Sequence, residues 1–246
     1  MEQSSDKIFG LRAILEAVEA GQEIEKVYLQ KDLKGHLAHQ LQKLIHERKI
    51  AFSYVPPEKL NKLSRFQNHQ GAVASISPIR YAELEQITDR AFEARENPLF
   101  LVLDQISDVR NLGAILRTAE CAGVDAIVLP LHGSAPINAD AIKTSAGAAF
   151  RIPICKVSHI LDALYHLKSL DVKIVAVTEK TDNSIYDIDL RPATALVMGS
   201  ESKGISNNVL KNSDHLGKLP LLGEIESLNV SVACGAVLYE AVRQRM

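Results

Sequence analysis

From Leu99 onward, short apolar runs alternate with segments that have the periodicity of an amphipathic helix. The runs are apolar at successive positions, which is the pattern of strands that are covered on both faces. Such strands in alternation with helices indicate an α/β fold with a parallel sheet between two helical layers. The predicted strands are 100–103, 126–129, 151–155, 173–177, 195–198 and 217–219, and the predicted helices are 112–122, 139–145, 160–170 and 230–243.

The first 76 residues have a different pattern, which predicts a smaller α/β unit. Helices are expected at 10–20, 37–47 and 58–63, and strands at 26–29, 50–55 and 72–76. A charge-rich helix then lies between Pro78 and Pro98, and we interpret it as a junction that leans on the second domain. The predicted domains are therefore 1–76, a linker at 77–97, and 98–246.

Composition bounds the class of protein. The chain has 246 residues, of which 46% are hydrophobic and 24% charged, as in ordinary globular proteins. No apolar run approaches the ~20 residues that span a bilayer, and the polar, acidic start at 1–6 does not resemble a signal peptide. Cys121, Cys155 and Cys234 are isolated and lack metal-ligand spacing. We expect three buried thiols in a reducing compartment, with the cytoplasm as the default, and no metal.

The distribution of charge is more informative than the net charge of −2. Between Lys26 and Arg65 the chain carries nine Lys and Arg but three Asp and Glu, and Phe52, Tyr54 and Phe66 lie within the same stretch. Cations bind phosphates, and aromatic rings stack on unpaired bases. The stretch therefore suggests RNA as a partner, although a solvated surface has the same composition.

Three short motifs lie where a predicted strand gives way to a turn or a helix. They are 111–119 (NLGAILRTA), 198–204 (MGSESKG), and 219–223 (LPLLG) with its continuation at 227–233 (SLNVSVA). Open α/β sheets bind ligands beyond the carboxyl ends of their strands. The motifs supply a guanidinium, a carboxylate, a hydroxyl and two amides, which is the composition of a site and not of a core.

Two common phosphate-binding motifs are excluded. No G-x-G-x-x-G follows the first strand of the second domain, so the turn of a dinucleotide-binding fold is missing. The glycines at 199 and 204 have the spacing of a nucleoside triphosphatase loop, but Ile205 stands where that loop needs its lysine.

Each motif also has a purely structural interpretation. Asn111 and Ser227 have the chemistry of helix N-caps, and Arg117 is spaced to pair with Glu120. Gly113 favours a site, because it lies one turn before Arg117 and would leave open space in front of the guanidinium. Asparagine is a poor helix former, so a purely structural role is a weaker explanation for Asn229 at the start of the last helix.

The three motifs together resemble the SpoU, or TrmH, family of RNA ribose 2′-O-methyltransferases within the knotted SPOUT class. The resemblance covers nearly the whole chain and is closest to the RlmB-type enzymes of 23S ribosomal RNA, which also carry segments like 8–10 and 68–71. Val109 and Ser202 depart from the family pattern, where proline and glycine are common. We expect the segment 68–71 (NHQG) to form a tight turn, with a substrate contact as the alternative.

The resemblance implies a C-terminal knotted domain that binds S-adenosyl-L-methionine and an N-terminal domain that binds RNA. It assigns Arg117 as the proposed base, and Asn111, Glu201, Ser227 and Asn229 to positioning the arginine, the ribose and the cofactor. Backbone groups near Gly199, Leu219 and Leu228 would meet the adenine. A guanidinium ordinarily keeps its proton, so Arg117 either receives help as a base or stabilises the developing alkoxide.

Two alternatives to a ribosomal guanosine substrate remain. One is the same reaction on transfer RNA, and the other is an RNA-binding module that has lost catalysis. The resemblance also implies a homodimer, in which helices rich in small residues pack across a two-fold axis. Asn111 and Arg117 would then help to complete the partner's cofactor site.

Overall fold

The structure is a computed structural model that describes residues 7–201 and 203–246. The chain divides after Arg80 into two compact units. The expectations stated for residues 1–6 and for Ser202 fall outside the described residues.

The first unit is a four-stranded mixed sheet with helices on both faces. Its elements are β1 (Lys7–Phe9), α1 (Leu11–Glu19), β2 (Ile24–Gln30), α2 (His36–Glu47), β3 (Phe52–Val55), α3 (Pro57–Leu63) and β4 (Ala72–Ile76). The strand order is β1-β4-β2-β3, with β3 parallel to β2 and the other pairs antiparallel. Strand β1 is absent from the sequence prediction because its three residues are too few to show a periodicity.

The alternation of side chains along β2, β3 and β4 gives each face of this sheet its own core. Val27 and Leu29 pack with α1 and α2, whereas Val55 and Val73 pack with Leu60 of α3. The segment 68–71 forms the predicted tight turn before β4, with φ of 50° at Gln70 and 81° at Gly71. The Gln70 side chain accepts a hydrogen bond from the first amide of α1 at 3.2 Å.

The second unit is a six-stranded parallel sheet. Its helices are α4 (Leu84–Ala94), α5 (Val109–Cys121), α6 (Ala139–Thr144), α7 (Ile160–Ser169), α8 (Asn207–Lys211) and α9 (Val230–Arg245). Its strands are β5 (Leu99–Asp104), β6 (Ala126–Pro130), β7 (Ile154–Val157), β8 (Lys173–Val177), β9 (Thr194–Gly199) and β10 (His215–Gly217). Short 3-10 turns lie at Ala148–Phe150 and Ile185–Asp187.

The strand order β10-β8-β9-β5-β6-β7 places β5 and β9 at the centre of the sheet. All residues of β5 and β6 are buried, as the continuous apolar runs predict. Helix α4 packs into the core of this unit through Leu84, Ile87 and Ala91, in agreement with the interpretation that it leans on the second domain. The predicted parallel α/β fold is therefore confirmed.

Two predicted strands are displaced. The strand expected at 151–155 is observed at Ile154–Val157, because Arg151 ends the preceding 3-10 turn. The strand expected at 217–219 is observed at His215–Gly217, because the backbone of Lys218 pairs with Asn183 and Ile185 instead of continuing beside β8.

The expectation of open space beside Gly113 is wrong. A Cβ atom at this position would lie 2.6 Å from Cβ of Thr144 and 2.9 Å from the carbonyl oxygen of Ala141. The glycine therefore permits a close approach of α5 to α6. Its role is in packing between two helices of the same chain.

The three cysteines differ in their surroundings. Cys155 and Cys234 are buried, and burial raises the pKa of each thiol to about 12. The expectation of burial is wrong for Cys121, which lies on the exposed face of α5. Among residues 7–201 and 203–246, no group of three or more His, Cys, Asp or Glu is arranged to hold a metal, and no helix is long and apolar enough to cross a membrane.

Candidate active site

The three motifs meet beyond the carboxyl ends of β5 and β9. These strands are paired over their whole length, so Asp104 and Gly199 are neighbours at the same edge of the sheet. The chain runs from β5 towards β6 and from β9 towards β10, in opposite directions across the sheet. This is the switch point at which open α/β sheets form a binding crevice.

Helix α5 begins directly after β5 and carries Asn111 to this crevice. Asp108 is the N-cap of α5, and its carboxylate accepts a hydrogen bond from the backbone amide of Asn111 at 2.8 Å. The proposal that Asn111 itself caps the helix is therefore wrong. Its side chain is free to point away from the cap.

Glu201 follows β9 and forms the centre of a polar cluster with Asn111 and Asn229. Its Oε1 atom accepts hydrogen bonds from Nδ2 of Asn111 at 3.3 Å and from Nδ2 of Asn229. The backbone amide of Val230 donates to the same oxygen at 3.1 Å. A carboxylate at this position also interacts favourably with the positive end of α9.

Asn229 is the N-cap of α9, which explains a residue that is otherwise unfavourable in a helix. Its Oδ1 atom accepts from the amide of Ser231 at 3.0 Å, and its Nδ2 atom also donates to Oδ1 of Asn111 at 3.0 Å. The capping role suggested for Ser227 is therefore wrong. Ser227 is exposed in the preceding loop and makes no hydrogen bond with any residue in the described ranges.

Gly199 is required by the loop that carries Glu201. A Cβ atom here would lie 2.2 Å from the carbonyl carbon of Gly204, because the loop folds back on the end of β9. The amide of Gly204 donates to the carbonyl of Ser200 at 2.8 Å. Asp104, which sequence reasoning missed, is buried and accepts from the amide of Ser206 at 2.8 Å. The sequence signal that could have identified it is a carboxylate at the end of an apolar strand.

Arg117 does not belong to this cluster. It lies six residues after Asn111, which places the two side chains about 120° apart around the axis of α5. Arg117 is exposed, and no acceptor within residues 7–201 and 203–246 binds its guanidinium, so the suggested pair with Glu120 is absent. The structure thus brings three of the five predicted polar residues together and leaves Arg117 and Ser227 apart.

The third motif forms an exposed loop between β10 and α9. Leu219 is half-buried, and Leu221, Leu222, Ile225 and Leu228 are exposed. The backbone groups of Leu219 and Leu228 have no backbone hydrogen bonds to other described residues. The loop leads into Asn229 and Val230, which bind Glu201, and an apolar loop with unpaired backbone groups is suited to holding a planar heterocycle.

The fold and the polar cluster define an α/β protein that binds a small ligand at the switch point of its sheet. The chain belongs to the SpoU rRNA Methylase family, whose model matches residues 98–239. A second model, described as RNA 2′-O ribose methyltransferase substrate binding, matches residues 7–82.

Relatives match along the whole chain. A Bacillus subtilis protein, YacO, whose name assigns it to the TrmH family of tRNA/rRNA methyltransferases, is 34% identical, and the match covers 100% of this chain and 98% of the relative. The 23S rRNA (guanosine-2′-O-)-methyltransferase RlmB of Xylella fastidiosa is 35% identical, with coverage of 100% and 99%.

Solved structures show the same fold. The SpoU methyltransferase AviRb of Streptomyces viridochromogenes in complex with AdoMet has a TM-score of 0.61 at 24% identity and covers 97% of this chain and 90% of its own. The TrmH/SpoU tRNA modifying enzyme of A. aeolicus has a TM-score of 0.56 at 31% identity, with coverage of 66% and 84%. The expected SPOUT-type α/β fold is confirmed.

Proposed function

We propose that the chain methylates the ribose 2′-hydroxyl of a guanosine in 23S ribosomal RNA, with S-adenosyl-L-methionine as the methyl donor. The observation that carries this proposal is the cluster of Asn111, Glu201 and Asn229 at the switch point of a SpoU-family sheet. The full-length similarity to proteins named RlmB supports the choice of RNA.

The residues around the crevice fit S-adenosyl-L-methionine. The apolar loop 219–228 would cover the adenine, and the backbone groups of Gly199, Leu219 and Leu228 would meet its edge. When bound, the cofactor supplies an electrophilic methyl group. The hydrogen bonds of Glu201 link the end of β9 to the first turn of α9, and we propose that this link organises the pocket before the cofactor binds.

Arg117 is our proposed catalytic residue. Methyl transfer needs the ribose oxygen to lose its proton and to carry negative charge as the new bond forms. The guanidinium has no acceptor among the described residues, so it is available to a ribose oxygen or to the adjacent phosphate. We propose that Arg117 binds there and stabilises the developing alkoxide, and that Ser227 assists in positioning the ribose.

We also propose that the active form is a homodimer. Val232, Ala236 and Tyr239 form an exposed stripe along α9, and Ala114 lies beside Arg117 on the exposed face of α5. A two-fold contact through these helices would bring Arg117 to the cofactor pocket of the partner. Asn111 was expected to help complete the partner's site, but it binds Glu201 and Asn229 of its own chain. We therefore assign it to the pocket of its own chain.

The division into domains and the path of the C-terminus remain proposals. We propose an RNA-binding domain at 1–76, a linker at 77–97 and a methyltransferase domain at 98–246, in a protein of the cytoplasm. We propose the family's knot for the segment that ends in α9. In support, the guanidinium of Arg245 donates to the carbonyls of Asn97, Leu190 and Pro192 at 2.7 to 2.9 Å.

Mapping of ribose methylation in RNA from a strain that lacks the gene tests the substrate. We expect one 2′-O-methylguanosine of 23S ribosomal RNA to disappear and to return when the gene is restored. Loss of a transfer RNA methylation instead would support the alternative that the name of YacO suggests. An unchanged methylation map, together with no binding of S-adenosyl-L-methionine in calorimetry, would support a module that has lost catalysis.

A further inference from the structure

The turn that follows α3 presents an aromatic ring to solvent. Phe66 is 79% exposed, the most exposed aromatic side chain among the described residues. The turn that carries it is well ordered by hydrogen bonds. Ser64 is buried, and its single hydroxyl proton is shared between the carbonyls of Asn61 and Gln67, which lie 3.2 and 2.9 Å from the hydroxyl oxygen.

The hydrogen-bonded turn that ends α3 also ends other helices of the chain, but there the side chain at the position of Phe66 is packed against the protein. In this motif, the second residue after the helix cap donates its amide to a carbonyl five residues back, and an apolar side chain there packs onto the helix. Ile50, Val124 and Val172 occupy this position after α2, α5 and α7, with amide–carbonyl distances of 2.9, 3.0 and 3.1 Å. Val124 and Val172 are 6% and 2% exposed, and Ile50 packs against the core of the first unit.

Phe66 occupies the equivalent position after α3, since its amide donates to the carbonyl of Asn61 at 2.7 Å. Its φ of 61° follows a φ of 54° at Arg65, which makes two successive left-handed residues without a glycine. The equivalent Ile50, Val124 and Val172 have ordinary negative φ values. The backbone of Phe66 therefore turns its ring away from the helix, in a conformation that is uncommon for a bulky side chain.

The surroundings of Phe66 are cationic. Lys59, Lys62 and Arg65 are exposed on α3 and its turn, and no carboxylate in the described part of the chain forms an ion pair with them. Lys59 and Lys26 also lie 5.7 and 5.5 Å from the ring centroid of Tyr28 on the same face of the sheet. By contrast, Lys43 on α2 is already paired with Glu47 at 3.6 Å.

We infer that the turn at 64–67 is an RNA contact in which an unpaired base stacks on Phe66. Lys59, Lys62 and Arg65 bind the adjacent phosphates. A single exposed ring among cations suits a nucleic acid better than a protein partner, since protein-binding sites are commonly marked by contiguous apolar patches larger than a few hundred Å². Within the described part of the first unit, the other large exposed hydrophobic side chain is Tyr54, which lies on the opposite face of the sheet. The inference rests on the proposed RNA substrate and specifies where the first unit binds it.

A fluorescence titration tests the contact directly. The chain has no tryptophan, so Phe66→Trp introduces a single reporter into the full-length protein. We expect an unmodified 23S ribosomal RNA transcript to quench this tryptophan, since a stacked base lies against the ring. The matched control is Tyr54→Trp, whose fluorescence should not change. No quenching at position 66, or equal quenching at both positions, would overturn the inference.

Steady-state methylation gives a second measurement. Phe66→Ala should raise KM for the transcript roughly tenfold and leave kcat unchanged, as expected for loss of one stacked base. Phe66→Tyr should restore the wild-type KM, and Tyr54→Ala should have no effect. A lower kcat with an unchanged KM would contradict the assignment.

The cations are tested by the salt dependence of binding. The double variant Lys59→Ala/Lys62→Ala should reduce the slope of log affinity against log salt by about 2. The control Lys43→Ala/Lys49→Ala should leave the slope unchanged, and an equal change in both variants would count against a specific surface. If the wild-type protein does not methylate the transcript, the proposed substrate fails, whereas the quenching experiment still decides whether Phe66 contacts RNA.

Discussion

The polar side chains on the two sides of α5 differ in whether they find hydrogen-bond partners within the described chain. On one side, Asn111 is fixed by Glu201 and Asn229, and these residues complete one another's hydrogen bonds within the chain. On the other side, Arg117 is exposed and has no acceptor among the described residues. In the proposed function, one chain therefore supplies the polar cluster of the pocket by itself, whereas Arg117 serves a substrate or a second chain. The following predictions test this contrast, from the largest expected effect to the smallest.

Arg117→Ala should reduce methyl transfer by roughly 10²- to 10³-fold, as for loss of a group that stabilises an oxyanion. Binding of S-adenosyl-L-methionine and the melting temperature should be unchanged, because the side chain is exposed. Single-turnover methylation and calorimetry measure the two effects. Arg117→Lys is the informative control, since it keeps the charge but loses the planar fork. Full activity of the lysine variant would disprove a specific guanidinium role.

Mixed dimers should regain activity if the two sides of α5 serve different active sites. Arg117→Ala and Asn229→Ala should each be nearly inactive alone. Their equimolar mixture should recover roughly a quarter of wild-type activity, because half of the dimers are mixed and each has one intact site. A mixture of Arg117→Ala and Arg117→Lys is the control and should recover nothing. An active monomer in sedimentation at assay concentration would contradict the shared site.

Glu201→Ala should remove the common acceptor of the cluster. We expect a loss of about 1 to 2 kcal/mol in the free energy of unfolding, and weaker binding of S-adenosyl-L-methionine, because the hydrogen bonds from position 201 to the start of α9 are lost. Asp108→Ala provides a matched control, since it removes the cap of α5 at a similar cost of about 1 kcal/mol. If both variants bind the cofactor equally well, the cluster does not organise the pocket.

Two glycines, one within α5 and one in α9 beside it, should change the stability of the protein in opposite directions when replaced by alanine. Gly113→Ala should cost about 1 to 3 kcal/mol, because the new methyl group would overlap Thr144 and the carbonyl of Ala141. Gly235→Ala should be neutral or stabilising by up to about 1 kcal/mol, since its Cβ would lie 3.5 Å from Thr118. Denaturant titration measures both. Equal changes in the free energy of unfolding would show that the close approach of α5 to α6 does not require a glycine at position 113.

Much of the fold follows from local pattern. The apolar run at 99–104 predicts a buried parallel strand, and β5 is buried along its whole length. The proximity of the motifs to strand ends also predicts that Asn111, Glu201 and Asn229 meet, because parallel strands end at one edge of the sheet. Hydrophobic periodicity and strand direction are properties of short segments, so the sequence determines them.

Only the tertiary structure decided how these segments face one another. Gly113 was expected to open space before Arg117, yet α6 fills that space, since the packing of two helices depends on residues far apart in sequence. Ser227 was one candidate for the cap of α9, but the cap lies at Asn229, whose side chain also binds Glu201 from another strand end. Likewise, Phe66 and Val172 occupy the same position in the same helix-ending motif, and the backbone angle that the folded chain imposes separates the exposed phenylalanine ring from the buried valine side chain.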